Sequence, residues 1–150
     1  GTEEMAALKS AAAIGSLLLD GIGDTIRISF TGTLEREIDV GKNLLTSLGM
    51  SDRPTVISCP TCGRTRGPVA EFTEKLQAVC KDIKKPVKIA VMGCEVNGPG
   101  EAKQADIGIA GGKGRFVLFK KGIIIGTYQE KNIVNKLLTE TRKLLTKGEK

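Results

Sequence analysis

The sequence predicts an α/β protein in two parts: a helix–strand–helix over residues 1–50, and an α+β domain over residues 51–150 whose small mixed sheet is flanked by helices. Short strand patterns alternate with amphipathic helical patterns in both parts, as is typical of mixed α and β structure. Ser51-Asp-Arg-Pro54 interrupts these patterns and is the best domain boundary in the chain. Because Trp is absent and aromatic residues make up only 3%, the core must be aliphatic.

In the first part, residues 4–20 and 34–48 have the apolar spacing of helices, and residues 24–31 alternate like a strand. The strand has an apolar face and a polar face, formed by Ile26, Ile28 and Phe30 and by Thr25, Arg27 and Ser29 respectively. A face that carries arginine and serine fits either an edge strand open to water or a bound anion. The pattern alone slightly favours the edge strand.

The second part has the order β-α-β-β-β-α. The predicted elements are a strand over residues 55–58, a helix over 68–83, strands over 87–92 and 105–110, a hairpin of 115–120 with 123–127, and a helix over 130–146. In this order, a strand ends immediately before each of two cysteine-bearing segments.

Composition excludes several classes of function. The chain has no histidine, which rules out zinc sites that need imidazole and Ser-His or Cys-His nucleophile systems. No apolar run approaches the roughly 20 residues of a membrane span, and no targeting signal is visible, so we expect a cytoplasmic protein. The net charge of +6 permits an anionic partner. The scarcity of aromatic residues argues against single-stranded nucleic acid.

Three of the four cysteines lie in loop-like segments rich in glycine and proline. These segments are Ser58-Cys-Pro-Thr-Cys-Gly-Arg64 and Val91-Met-Gly-Cys-Glu-Val-Asn-Gly-Pro-Gly-Glu101. Two thiolates three positions apart can ligate one metal centre, although a Cys-x-x-Cys pair also occurs in redox dithiols. The distant third loop cysteine, Cys94, favours the metal centre. Cys80 lies beside the apolar stripe of its helix and is most simply a core residue.

A fourth ligand must come from Cys80 or from a carboxylate such as Glu95 or Glu101. The Asn97–Gly100 loop can fold back and present Glu101 beside the sulfurs. Because a carboxylate oxygen is more easily displaced than a thiolate, three thiolates and one carboxylate favour a catalytic iron-sulfur cluster over an electron carrier. Arg64 and Lys113 can attract anions nearby, but each is more often an ordinary surface charge.

In combination, these motifs resemble the 4-hydroxy-3-methylbut-2-enyl diphosphate synthase family, the iron-sulfur reductases of the methylerythritol phosphate route to isoprenoids. The resemblance covers the C-terminal portion of that family and essentially the whole of this chain. It is carried by Leu8-Lys-Ser-Ala, Gly21-Ile-Gly-Asp-Thr-Ile-Arg-Ile-Ser29, Cys59-Pro-Thr-Cys-Gly-Arg64, Val91-Met-Gly-Cys94, Asn97-Gly-Pro-Gly-Glu-Ala102, Asp106-Ile-Gly-Ile-Ala-Gly-Gly112 and the closing helix.

The resemblance implies a fold and a set of site residues. Residues 1–50 would be the last helix, strand and helix of a TIM-type barrel, and residues 51–150 a domain that holds a [4Fe-4S] cluster. The metal ligands would be Cys59, Cys62, Cys94 and Glu101. Asn97 would lie close to the substrate, and with Glu101 would be catalytic. Arg27 and Ser29 would bind the substrate's diphosphate, a reading that replaces the edge strand.

The implied reaction is the two-electron reductive ring opening and dehydration of 2-C-methyl-D-erythritol 2,4-cyclodiphosphate, with ferredoxin or flavodoxin as the electron donor. Family members act as homodimers, and neither nucleic acid nor a membrane is expected as a partner. The chain begins at Gly1 without a methionine, and the resemblance implies that most of the family's barrel lies outside it. We therefore expect it to bind a cluster but to turn over substrate poorly or not at all.

Two alternatives remain open from the residues. A zinc-stabilised basic binding module would use Cys80 as its fourth ligand and would have no need of Glu101. A ferredoxin-type electron carrier would keep the cluster but would have no use for Asn97 or Arg27.

Overall fold

A computed structural model of the protein describes residues 1–81, 83–94, 100, 102–112 and 114–146. The chain forms two compact units, Gly1–Asp52 and Arg53–Lys150. Across the described residues, none of the helices combines the length and the apolar character needed to cross a lipid bilayer.

The first unit contains two helices, α1 (Glu3–Leu19) and α2 (Leu34–Ser47). The hydroxyl of Thr2 caps α1 by accepting the N–H of Met5, and acidic residues in the first turn of each helix suit the helix dipole. Each helix ends just before a glycine with positive φ, Gly21 at 76° and Gly49 at 73°. The predicted helices are confirmed to within about one residue at each end.

The strand predicted over residues 24–31 is wrong as secondary structure, although its alternation is correct. Ile28 is buried and the polar face is exposed, yet residues 25–30 are not paired as a strand. A strand is held by hydrogen bonds to a neighbouring strand. The described part of this unit offers two helices and no second strand as a partner. Ile28 instead forms a small core with Val40 and Leu44.

The second unit is a five-stranded mixed sheet with helices, which confirms the predicted fold class. Its elements are β1 (Thr55–Ser58), α3 (Val69–Cys80), β2 (Lys88–Met92), β3 (Ile107–Gly111), β4 (Arg115–Lys120), β5 (Ile123–Gln129) and α4 (Glu130–Thr146). The strands lie side by side in chain order. The pairs β1–β2 and β2–β3 are parallel, and β3–β4 and β4–β5 are antiparallel.

Helices α3 and α4 cover one face of this sheet. The core between them consists of Val69, Phe72, Leu76, Cys80, Val87, Ile89, Val91, Ile107, Ile109, Phe116, Leu118, Ile133 and Leu137. The rings of Phe72 and Phe116 lie 5.4 Å apart at 60°, a favourable tilted aromatic pair that ties α3 to β4. Helix α3 ends three residues before the predicted Ile83. The helix lies between β1 and β2 in the chain and connects the carboxyl end of β1 to the amino end of β2, as a parallel crossover requires.

The opposite face of the sheet carries several small residues, among them Ala90, Ala110 and Gly108. Gly108 is a tight position: a Cβ there would lie 2.5 Å from the ring of Phe119 and 2.8 Å from both the Cβ and the carbonyl oxygen of Ala90. The carbonyl belongs to the backbone of β2 and cannot move aside cheaply. Gly108 therefore allows the ring of Phe119 to approach the backbone of β3 closely.

We expect Gly108→Ala to destabilise the second unit by about 2–3 kcal/mol, because the methyl group overpacks a rigid site. The matched control is Gly63→Ala, where the Cβ would meet nothing within 4 Å. Tyr128 on β5 is the only tyrosine and there is no tryptophan, so intrinsic fluorescence during urea unfolding reports on this unit alone. Equal midpoints for the two variants would contradict the prediction.

Candidate metal centre

The parallel pairing of β1 and β2 brings the two cysteine segments together. Ser58 pairs with Val91, so both strands end at the same edge of the sheet. Cys59 directly follows β1 and its N–H donates to the carbonyl of Val91 at 3.2 Å. Gly93 directly follows β2 and its N–H donates to Sγ of Cys59 at 3.0 Å. The residue that follows β2, Gly93, is thus hydrogen-bonded to the first sulfur of the Cys-x-x-Cys pair.

Cys62 is exposed and lies in a tight turn whose donors point at its sulfur. Its N–H donates to Oγ1 of Thr65 at 3.1 Å, and the N–H of Thr65 donates to its carbonyl at 3.0 Å. The pKa of the Cys62 thiol is lowered, first by the backbone N–H of Arg64 and next by the hydroxyl of Thr65. Because the thiolate is the form of cysteine that binds metal, these donors favour the metal-ligating state.

A second set of contacts joins this turn to the exit of β2. The N–H of Arg66 donates to the carbonyl of Gly93 at 2.8 Å. A Cβ at Gly93 would lie 3.0 Å from Cγ2 of Thr65 and 3.1 Å from Cγ2 of Val69, so the close approach depends on glycine. The same carbonyl would be 3.0 Å from a Cβ at Gly111, the last residue of β3.

Cys94 follows Gly93 and is half-buried. Asn97, Glu101 and Lys113, to which the sequence assigned roles, lie outside the described residues. Within the described ranges, no three cysteine or carboxylate side chains form a group able to hold a metal ion. All four cysteines are free thiols, and two of the loop cysteines accept hydrogen bonds at their sulfurs. This donor chemistry fits a thiolate-bound iron-sulfur cluster.

Cys80 is confirmed as a core residue. It is only 7% exposed, packs among the apolar side chains between α3 and the sheet, and has a raised thiol pKa because of burial. It is the last residue of the 12-residue α3, whose first residue Val69 contacts the turn at Gly93. At 1.5 Å per residue, Cys80 is about 16 Å further along the helix. It is therefore badly placed to complete a zinc site.

Arg27 and Ser29 belong to the first unit, and both are exposed. Arg27 lines an open cavity of about 330 Å³ together with Glu37 and Lys42. Glu37 of α2 accepts hydrogen bonds from the Ser29 hydroxyl at 3.3 Å and from the N–H of Phe30 at 2.9 Å. A phosphate oxygen at Ser29 would have to replace this carboxylate as the acceptor.

Sequence reasoning missed Glu37, Thr65 and the contact role of Gly93. A carboxylate in the first turn of a helix that follows an extended segment is a usable signal for Glu37. The role of Thr65 depends on a hydrogen bond between its hydroxyl and Cys62, three residues earlier. In the sequence, its signal is a hydroxyl residue shortly after a Cys-x-x-Cys pair.

We expect the lowered pKa of Cys62 to appear in its reactivity. In the cluster-free chain, the alkylation of Cys62 by iodoacetamide should reach half its maximal rate at a lower pH than in the urea-unfolded chain, because more thiolate is present at a given pH. Cys80 should resist alkylation until the chain unfolds, since it is buried and its pKa is raised. Mass spectrometry of each peptide over a pH series measures both rates. Identical profiles for Cys62 in the two states would contradict the expectation.

The comparisons with known proteins agree with the two units. Residues 55–143 match the family described as the GcpE protein C-terminal domain, and residues 1–42 match the GcpE TIM-barrel domain.

Similar curated proteins are named 4-hydroxy-3-methylbut-2-en-1-yl diphosphate synthase (flavodoxin). The protein from Nautilia profundicola is 54% identical over 144 residues, which cover 95% of this chain and 41% of the relative. That from Caldanaerobacter subterraneus subsp. tengcongensis is 51% identical over 146 residues, 97% of this chain and 41% of the relative. That from Nitratiruptor sp. is 45% identical over 150 residues, 99% of this chain and 43% of the relative.

The chain thus spans about two fifths of the length of the curated relatives it matches. The match to the family's C-terminal domain covers more than half of the chain. The resemblance inferred from the motifs is therefore confirmed. The chain belongs to the GcpE family: it joins part of that family's TIM-barrel domain to the family's C-terminal domain.

Proposed function

We propose that this chain is the cluster-bearing part of a 4-hydroxy-3-methylbut-2-enyl diphosphate synthase. The complete enzyme would convert 2-C-methyl-D-erythritol 2,4-cyclodiphosphate to 4-hydroxy-3-methylbut-2-enyl diphosphate by two-electron reductive ring opening and dehydration. The observation that carries the proposal is the hydrogen bond from the Gly93 N–H to Sγ of Cys59, which unites the two cysteine segments in a chain of this family.

The cofactor would be a [4Fe-4S] cluster held by Cys59, Cys62, Cys94 and Glu101. Soft thiolate ligands suit iron-sulfur clusters, and a single carboxylate provides a ligand that is exchanged more readily. When bound, the cluster supplies electrons to the substrate. The described residues place hydrogen-bond donors beside two of these ligands. The Gly93 N–H faces the sulfur of Cys59, and the Arg64 N–H and the Thr65 hydroxyl stabilise the thiolate of Cys62.

We propose that three side chains of this sequence bind the substrate in the complete enzyme. Arg27 offers a planar fork of donors that suits a diphosphate, and Ser29 adds a hydroxyl donor once it leaves Glu37. Asn97 would place its amide beside the substrate near Glu101, and these two residues would be the catalytic groups of the chain. Other diphosphate ligands would come from the rest of the barrel domain, so we propose that this chain alone turns over substrate poorly or not at all.

The names of these relatives include flavodoxin. We propose flavodoxin, or ferredoxin in its place, as the electron donor for the enzyme formed with this chain. We further propose a cytoplasmic homodimer, in keeping with the four free cysteines. The zinc-module alternative loses support because Cys80, its required fourth ligand, is buried at the far end of α3.

We expect anaerobic reconstitution of the chain to incorporate about four iron and four sulfide per chain. Glu101→Ala should still acquire a cluster but lose it several-fold faster to a chelator, since one ligand is missing. The matched control is Cys80→Ala, which removes a thiol from the core and should retain iron and sulfide like the parent. Uptake of zinc alone, with loss of binding in Cys80→Ala, would refute the cluster assignment.

We expect Arg27→Met in the complete enzyme to raise the KM for the cyclic diphosphate by roughly 10- to 100-fold, the cost of losing a charge-assisted contact. Lys81→Met removes an exposed positive charge that lies outside the family motifs and should leave KM nearly unchanged. Steady-state kinetics with a chemical reductant measure both constants without a protein partner. Equal KM values for the two variants would remove Arg27 from the binding site.

A further inference from the structure

Thr65 lies between the two cysteine segments and contacts both. We propose that Thr65 is a positioning residue, whose hydroxyl holds the Cys62 sulfur and whose methyl group seats the turn against the exit of β2. This proposal rests on the proposed function, because Thr65 would act through Cys62, a proposed ligand of the cluster.

The hydroxyl of Thr65 interacts with both the backbone N–H and the sulfur of Cys62. Oγ1 accepts the N–H of Cys62 at 3.1 Å and lies 3.9 Å from Sγ of the same residue, toward which it donates. A hydroxyl has one donor and two acceptor sites, so both bonds can exist at once. One oxygen therefore fixes the direction of the Cys62 backbone and supplies a donor to its sulfur.

The branched end of Thr65 also contacts the other segment. Cγ2 lies 3.0 Å and Oγ1 lies 3.1 Å from the position that a Cβ would take on Gly93, the residue before Cys94. The N–H of the next residue, Arg66, donates to the carbonyl of Gly93 at 2.8 Å, which secures the same approach from the backbone. The turn that carries Cys62 is thus seated directly on the residue that precedes Cys94.

The two contacts are coupled because both groups are attached to one carbon. Oγ1 and Cγ2 are both bonded to Cβ, so the single torsion χ1 sets the direction of both, and a β-branched residue is stiff at χ1. With this torsion, both branches lie against Gly93 while Oγ1 also reaches the N–H and the sulfur of Cys62. A straight side chain at this position would not link the two segments in this way.

The test compares Thr65→Val, which keeps the branched shape and loses the hydroxyl, with Thr65→Ser, which keeps the hydroxyl and loses the methyl group. Both are made in the complete enzyme. A hydrogen bond to a ligand sulfur stabilises the more negative, reduced cluster and raises its midpoint potential. We expect Thr65→Val to have a lower midpoint potential than the parent in a spectroscopic redox titration. Thr65→Ser keeps the hydroxyl donor, so its midpoint potential should lie closer to the parental value than that of Thr65→Val.

A second measurement is independent of the cluster. In the cluster-free protein, Thr65→Val should exchange the amide hydrogen of Cys62 roughly fivefold faster, the factor for a lost hydrogen bond of about 1 kcal/mol. Thr65→Ser keeps the hydroxyl but loses the methyl group that restricts χ1, so it should exchange this amide at a rate between those of the parent and Thr65→Val. Hydrogen exchange followed by mass spectrometry or NMR measures this rate.

A parental potential and a parental exchange rate in Thr65→Val would overturn the proposal. So would an equal potential shift in Thr65→Ser, because the hydroxyl would then not be the cause. A parent protein that takes up no iron and sulfide would overturn the proposed function, and with it the role of Thr65 at a cluster. In that case the exchange rates would still establish whether the hydrogen bond itself exists.

Discussion

The parallel pairing of β1 with β2 is the constraint on which the rest of the second unit depends. Two neighbouring parallel strands must end at one edge of a sheet, and here each strand is followed by a cysteine segment. The pairing also demands a crossover, which α3 provides by packing its apolar face on the sheet. The core under α3 and α4 is therefore what keeps the cysteine segments together. Fold stability and ligand placement share the same contacts.

Among the described residues, the groups that face the candidate ligand sulfurs come mainly from the backbone. The N–H groups of Gly93 and Arg64 face the sulfurs of Cys59 and Cys62, and the side chain of Thr65 adds a hydroxyl. Backbone dipoles held by a sheet edge and a tight turn do not need to reorient when a sulfur acquires negative charge. Glycine is required at Gly93 because a side chain would push the two segments apart. These features explain why the cysteine segments are rich in small residues.

Much of this architecture could be predicted because its signals are local. Apolar periodicity located the helices and the sheet strands, and glycine and proline marked the segment from Cys59 to Arg64 as a loop. The strand over residues 24–31 was wrong because strand pairing is a long-range property, which alternation of side chains does not establish. Thr65 and Glu37 were missed because their roles depend on hydrogen bonds that have no fixed spacing. The roles of Asn97 and Glu101 were inferred from the family resemblance, and both residues lie outside the described part of the chain.

The crossover through α3 has a further consequence for how such a site can change over generations. The distance in space between the cysteine segments is set by the spacing of adjacent strands, about 5 Å, whatever the number of residues between them. Residues added around Lys84, where the chain passes from α3 to β2, would lengthen the interval from Cys62 to Cys94 without moving either segment. Spacing within the Cys-x-x-Cys turn has no such freedom. Sequence drift is therefore tolerated between the ligand segments but not inside them.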